Sequence, residues 1–118
     1  MVLVDTSVWV SHLREGTIGL DALLNKGQVV CHPFIIGDLA CGNLKNRSGI
    51  LSLLQALPMA ISVEHEEVMQ FIEIHGLMGK GLGYIDMHWL ASAVLTKNRL
   101  WTLDRKLSET SLRLGMRY

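Results

Sequence analysis

The apolar positions of this chain fall into two alternating rhythms. Three short runs are rich in strand-forming residues: Val2-Leu3-Val4, residues 28–32 and residues 100–103, with residues 59–63 as a weaker fourth. Segments of helical length separate them. Ile50, Leu53, Leu54 and Leu57 follow the i, i+3, i+4, i+7 spacing of one helix face, and Pro58 stops that helix because it lacks an N–H and its ring clashes with the preceding turn. Val68, Phe71 and Ile72 mark a second helix, whose acidic start at Glu64, Glu66 and Glu67 suits the positive end of the helix dipole. Met87, Leu90, Ala91 and Val94 mark a third, and Trp89 and Ala93 make it apolar over most of its surface, so it is expected to be central and buried. Strands that alternate with helices predict an α/β protein built on a parallel sheet.

The 118 residues, 49% of them hydrophobic, predict a single domain spanning 1–118 with a real core. A mean hydropathy of +0.29 raises the question of a membrane. The apolar stretches, however, are broken well short of the ~20 residues a span requires. Asp5 interrupts the first run, and no basic segment precedes it, so no secretory signal is expected and the predicted compartment is the cytoplasm. Cys31 and Cys41 read as small buried hydrophobes rather than as a disulfide or metal pair.

Eleven basic and eleven acidic side chains balance, so no global positive field announces a nucleic-acid partner. If the acids gather in one pocket, basic residues are in excess elsewhere; Lys45, Arg47, Lys80, Arg99, Arg105, Lys106 and Arg113 are the candidates, each of which also reads as a solvated helix face. Gly76, Gly79, Gly81 and Gly83 lie between two helices without the strand or the Lys-Ser/Thr that a phosphate loop needs. They read as a helix C-cap and a flexible crossing with Lys80 exposed, or as a segment that touches a substrate.

Four acids stand beside apolar strand or helix signals: Asp5 after Val4, Asp38 in Ile36-Gly37-Asp38-Leu39, Asp86 after Ile85, and Asp104 after Leu103. In a parallel sheet, side chains just past the carboxyl ends of the strands gather where the strand order reverses. Asp5 and Asp104 are therefore expected to face each other if their strands are neighbours, with Asp86 and Asp38 on the same edge. Thr6, Ser7 and Thr102 add hydroxyls. Two carboxylates about 4 Å apart repel by roughly 4 kcal/mol at an effective dielectric near 20, so a cluster asks for protons or a divalent cation, and oxygen donors suit Mg²⁺ or Mn²⁺. Singly, each acid also reads as structural: Asp5 and Asp104 as helix caps, Asp86 as a first-turn acid, Asp38 as an exposed residue. The five histidines form no zinc pattern; His65-Glu66-Glu67 lacks the second His of HExxH, and His12, His32, His75 and His88 read as core or surface residues.

Three segments in this order, Val2-Leu3-Val4-Asp5-Thr6-Ser7, Asp86-Met87-His88-Trp89-Leu90-Ala91-Ser92-Ala93 and Leu100-Trp101-Thr102-Leu103-Asp104-Arg105-Lys106-Leu107, resemble the PIN-domain family, and within it the VapC-type ribonuclease toxins of type II toxin–antitoxin systems. The resemblance runs from the first strand to the last helix. It implies a PIN-like three-layer fold, a central parallel β-sheet flanked by helices. It also implies an endoribonuclease dependent on Mg²⁺ or Mn²⁺, a homodimer, an RNA substrate, and a cognate VapB-type antitoxin that blocks the site with an Arg or Lys and lays an apolar helix in a groove. Asp5, Asp86 and Asp104 match three family acids, with Thr6 and Thr102 at accompanying hydroxyl positions. Asp38 is the departure, because the family usually has glutamate there and aspartate is shorter by one C–C bond, roughly 1.5 Å. Beside the ribonuclease stand two other readings: a catalytically weakened PIN-like module that acts through its partner complex, and a phosphotransfer domain with Asp5 as nucleophile. Ser7 occupies the place where the latter's usual signature has a second acid.

Overall fold

The structure, a computed structural model, describes residues 1–16 and 19–118. Three parallel strands, β1 (Val2–Val4), β2 (Val29–Val30) and β3 (Arg99–Trp101), form a sheet in the order β2-β1-β3. Seven helices accompany them: α1 (Thr6–Glu15) and α2 (Leu20–Asn25) between β1 and β2, then α3 (Pro33–Ala40), α4 (Arg47–Ala56), α5 (His65–His75) and α6 (Tyr84–Thr96) before β3, and α7 (Arg105–Arg113) after it. The chain leaves β1 for β2 on one side and returns for β3 on the other. Strand order thus reverses at β1, the position where parallel sheets form their crevice.

The register follows from burial. Val2 and Leu3 of the central strand lie opposite Val29 and Val30 on one side, and Val2, Leu3 and Val4 lie opposite Arg99, Leu100 and Trp101 on the other. All of β1 is buried, as expected of a strand covered on both faces. Each fully buried aliphatic side chain contributes about 1.5–3 kcal/mol relative to leaving it in water, and Leu3→Ala would cost about 2–5 kcal/mol through the cavity it leaves.

The helix expected to be central is α6. Seven consecutive residues, Met87 to Ala93, are buried, and it packs against both β3 and α5. Its two ends emerge, with Tyr84 and Ile85 exposed at the start and Val94 and Leu95 at the finish. The helix predicted before Pro58 is α4, in which Leu54 is fully buried while Leu53 faces outward. α5 starts on Glu66 and Glu67 and ends at Gly76, whose left-handed φ of 60° gives the last turn the geometry a residue with Cβ resists.

Three expectations are corrected. The weak fourth strand at 59–63 reduces to one parallel bridge between Cys31 and Met59. Cys31 donates its N–H to Pro58 and accepts from Ala60, but the next donor a parallel ladder needs stands at position 33, and Pro33, which opens α3, has no N–H. The last strand starts one residue before the apolar run and ends two residues before the run does, because Thr102 leaves the ladder to hold Asp5. Of the two cysteines, which are both free, Cys31 is buried as expected but Cys41 is exposed at the end of α3.

Candidate active site at the carboxyl edge of the sheet

Asp5 occupies the N-cap position of α1 yet makes no side-chain cap hydrogen bond. Its carboxylate turns toward β3 instead. Oδ2 accepts from the Thr102 hydroxyl at 2.5 Å and from the Ser7 hydroxyl at 2.7 Å. Both hydroxyls are themselves fixed: Thr102 Oγ1 accepts from the Asp104 N–H at 3.0 Å, and Ser7 Oγ accepts from the Leu103 N–H at 3.0 Å. The turn after β3 is thereby clamped onto the turn after β1. The capping alternative for Asp5 is excluded, since its oxygen serves the neighbouring strand's turn.

The other three acids come from three further elements. Asp104 caps α7, accepting from the Leu107 N–H at 2.9 Å through Oδ1. Asp86 sits in the first turn of α6 and accepts from the Gly83 N–H at 2.9 Å through Oδ2. For these two the structural reading is correct, but each engages only one oxygen. Asp38, on α3, is exposed and accepts a 3.2 Å hydrogen bond from the Thr6 hydroxyl. The expected hydroxyls Thr6 and Thr102 are thus both bonded to predicted acids. Ser7 binds Asp5 as closely, though sequence matching places only Thr6 and Thr102 beside the acids; its signal is the Asp-Thr-Ser run itself.

Burial holds the Asp5 carboxyl above the usual carboxylate range; the Thr102 and Ser7 hydroxyls and the Thr6 backbone pull it back, and the charge of Asp86 pushes it further up. Asp86 is also raised, first by burial and then by the charges of Asp104 and Asp38, against the lowering hydrogen bond from Gly83. Asp86 is therefore within electrostatic reach of the other three acids. Asp5 is only 3% exposed, and among the described residues no Lys, Arg or His lies within 4 Å of it, the ion pairs seen among those residues being His12–Asp21 and Arg105–Glu109. A buried carboxylate without a counter-cation is costly, and hard oxygen donors of this kind fit a divalent cation. No group of three or more His, Cys, Asp or Glu side chains among the described residues is already drawn together as a metal cage.

Two further features adjoin the acids. A groove of about 530 Å³ runs between α1, α3 and the loop before α4; Val10, Leu13, Leu39 and Ile50 line it, and Asp38 stands in its wall. On the other side of α3, a ladder of rings links His32, Phe34, His88, Tyr84 and His65, with successive centroids 5.0, 4.9, 4.6 and 5.5 Å apart. His32 Nδ1 accepts from the Phe34 N–H and caps α3, so the ring proton belongs on Nε2, which has no protein partner. Burial, aided by the neighbouring His88, lowers His32 to about 4. His32 and His88 are core residues and His65 is a surface one, in line with the expectation of core or surface histidines, and among the described residues they join no metal-binding group.

No protein-family model matches the chain. Individual proteins do. It is 40% identical over 117 residues to Ribonuclease VapC32 of Mycobacterium tuberculosis, in both the CDC 1551 / Oshkosh and the H37Rv strains, a match covering 98% of this chain and 94% of the relative. The crystal structure of FitAcB from Neisseria gonorrhoeae superposes with a TM-score of 0.66 over 94% of this chain and 93% of that one, at 18% identity, a likeness of fold alone. With the parallel β2-β1-β3 sheet and a relative matched nearly end to end, the chain belongs to the VapC-type ribonucleases of the PIN-domain family.

Proposed function

We propose that this protein is a metal-dependent endoribonuclease, the toxin of a VapBC-type toxin–antitoxin pair, and that Asp5, Asp38, Asp86 and Asp104 form its catalytic site. The observation that carries the reading is Asp5: a buried carboxylate without a counter-cation, held by two hydroxyls and raised by burial and by Asp86. Asp5, Asp86 and Asp104 would hold Mg²⁺ or Mn²⁺ with Asp38 nearby. Such an ion lowers the pKa of bound water and neutralises charge on a phosphodiester. The protein's own part is positioning. Thr102 and Ser7 fix the orientation of Asp5, the caps to Gly83 and Leu107 fix Asp86 and Asp104, and Asp38, exposed on α3 and bonded to Thr6 through one oxygen, would accept a proton from the attacking water. The reaction is hydrolysis: water's oxygen bonds to phosphorus, the bridging P–O bond breaks, and the leaving oxygen takes a proton.

The partner follows from the same charges. A guanidinium pairs bidentately with carboxylates and would compete with the cation, so an Arg or Lys of a VapB-type antitoxin among the four acids would silence the enzyme. The groove with Asp38 in its wall carries the apolar side chains Val10, Leu13, Leu39 and Ile50, which supports seating an apolar antitoxin helix there. A homodimer, a single PIN domain over 1–118 and a cytoplasmic site of action complete the proposal. None of the described helices is long and apolar enough to cross a membrane.

The deciding test is cleavage of RNA by the purified, partner-free protein with Mg²⁺ or Mn²⁺ and again in EDTA. Cleavage should need the ion; equal rates in EDTA would end the metal mechanism. A weakened, binding-only module is favoured by one observation, the short Asp38 where a glutamate is usual, and predicts ion binding without measurable turnover.

A further inference from the structure

Lys80, Lys106, Thr110 and Arg113 surround a second cavity of about 220 Å³, with Glu109 at its edge. On α7, residues 106, 109, 110 and 113 share one face by their i, i+3, i+4, i+7 spacing. The glycine-rich crossing before α6 forms the opposite wall. Gly81, at a φ of +77°, lies so close beneath Lys106 that an added Cβ would come within 2.7 Å of Nζ, so the absence of a side chain there lets the ammonium lie across the loop. Arg113 is anchored by a 3.3 Å hydrogen bond from Nη2 to the His75 carbonyl. Among the described residues none of these three cations has a carboxylate within 4 Å, while the charge of Glu109 is already met by Arg105 at 3.1 Å. The cavity is therefore a concentration of unneutralised positive charge in a molecule with no net charge.

Its position gives that charge a use. Lys106 is two residues past Asp104, and Gly81 is two residues before Gly83, whose N–H is held by Asp86. The basic cavity thus begins where two of the four acids end. Along α7, Arg113 lies roughly 13 Å beyond Asp104 at 1.5 Å per residue, a reach of more than one nucleotide. We propose that Lys80, Lys106 and Arg113 form a phosphate subsite that holds the RNA backbone beside the scissile bond, an inference that rests on the ribonuclease reading. The lining residues are charged or hydroxylic with no Val, Leu, Ile, Met or aromatic side chain among them, which favours a nucleic-acid phosphate over an acidic peptide.

The test is binding of a labelled 12-nucleotide single-stranded RNA, in the Asp86→Asn background to prevent cleavage, followed by fluorescence anisotropy across a salt series. Removing one phosphate-binding cation should lower the slope of log affinity against log salt by ~0.7, so Lys80→Gln/Lys106→Gln should flatten it by roughly 1.4. In the cleaving protein the same pair of changes should raise KM several-fold with little effect on kcat. An unchanged slope overturns the subsite whether or not the wild-type protein cleaves RNA, and absence of cleavage by the wild type overturns the ribonuclease reading instead. If poly-glutamate of equal length binds as tightly as the RNA and loses affinity in the same variant, the cavity is an acidic-peptide site and the proposal is wrong.

Discussion

Helix α6 carries a carboxylate into one like-charged group through Asp86 and an imidazole into another through His88, and burial acts on both groups with opposite results. His32 and His88 respond to the dry interior by losing their protons: burial lowers both, and His32 falls to about 4. Neutral, stacked on Phe34 and Tyr84, they become ordinary core. Asp5 and Asp86 are raised by the same burial and by their neighbours, yet as anions they gain relief only from a proton or a cation. The difference separates packing from chemistry. Bases that can discharge at neutral pH settle into structure, whereas acids that remain charged keep a standing demand for a ligand.

The comparison predicts its largest effect in Asp5→Asn and Asp86→Asn. Each removes an anion from a crowded site, so RNA cleavage should fall by on the order of 10²-fold or more while thermal stability holds or rises. Activity near wild type in both would return these acids to purely structural roles. A fall in stability as large as that of a core substitution would show that the charge was satisfied within the fold.

A smaller but cleaner contrast lies in the pH dependence of stability. The folded pKa of His32, about 4, is below its unfolded value near 6.5, so its contribution is fully present above pH 6.5 and is lost as pH falls toward 4, by roughly 3 kcal/mol. Asp5 and Asp86 act with the other sign: raised in the fold, they favour it below their unfolded value of 3.8, and that contribution is lost as pH rises through their folded values. Urea unfolding from pH 7 to 4 should therefore show a decline that His32→Asn, which keeps an N-cap acceptor, largely removes. An unchanged decline in that variant would place the acid sensitivity elsewhere.

Thr102→Val probes the clamp that distinguishes Asp5 from an ordinary buried acid. It deletes a hydroxyl that donates to Asp5 and accepts from the Asp104 N–H, at a cost of about 1–3 kcal/mol. Because that hydroxyl lowers the Asp5 pKa, its loss should also move the acid limb of the cleavage profile to higher pH. A stability loss with an unmoved acid limb would mean that Asp5 does not set the profile.

How much of the molecule is legible in its sequence depends on whether the information is local. The Val2–Val4 run ending in Asp5, the all-round apolar α6 and the final Asp104 predict a parallel sheet with acids at one edge, because sheet topology forces residues at strand ends together. The fourth strand fails because pairing needs a partner remote in sequence, and the chain beside it turns into α3 at Pro33, directly after the Cys31–Met59 bridge. The imidazole ladder and the Lys106–Gly81 approach are illegible for the same reason: α3 meets α6, and α7 meets the glycine crossing, only in the folded chain. Ser7 is visible as a hydroxyl, but its grip on both Asp5 and the Leu103 N–H requires the β1–β3 pairing.

The smallest expected effect is the one that sharpens the acid side of the comparison most. Asp38 is exposed on α3, tied to Thr6 by a 3.2 Å hydrogen bond and one bond shorter than the glutamate the resemblance leads one to expect. Asp38→Glu lengthens the side chain by roughly 1.5 Å into a site that is open on that side, so overpacking is not a hazard. If the carboxylate stands short of the ion, calorimetric Mn²⁺ affinity should stay level or rise by up to about tenfold, with cleavage following. A clear loss of Mn²⁺ binding would mean that the site is fitted to aspartate, with Thr6 setting its reach. Chemistry at this position would then be undiminished, and the binding-only alternative would lose its one supporting observation.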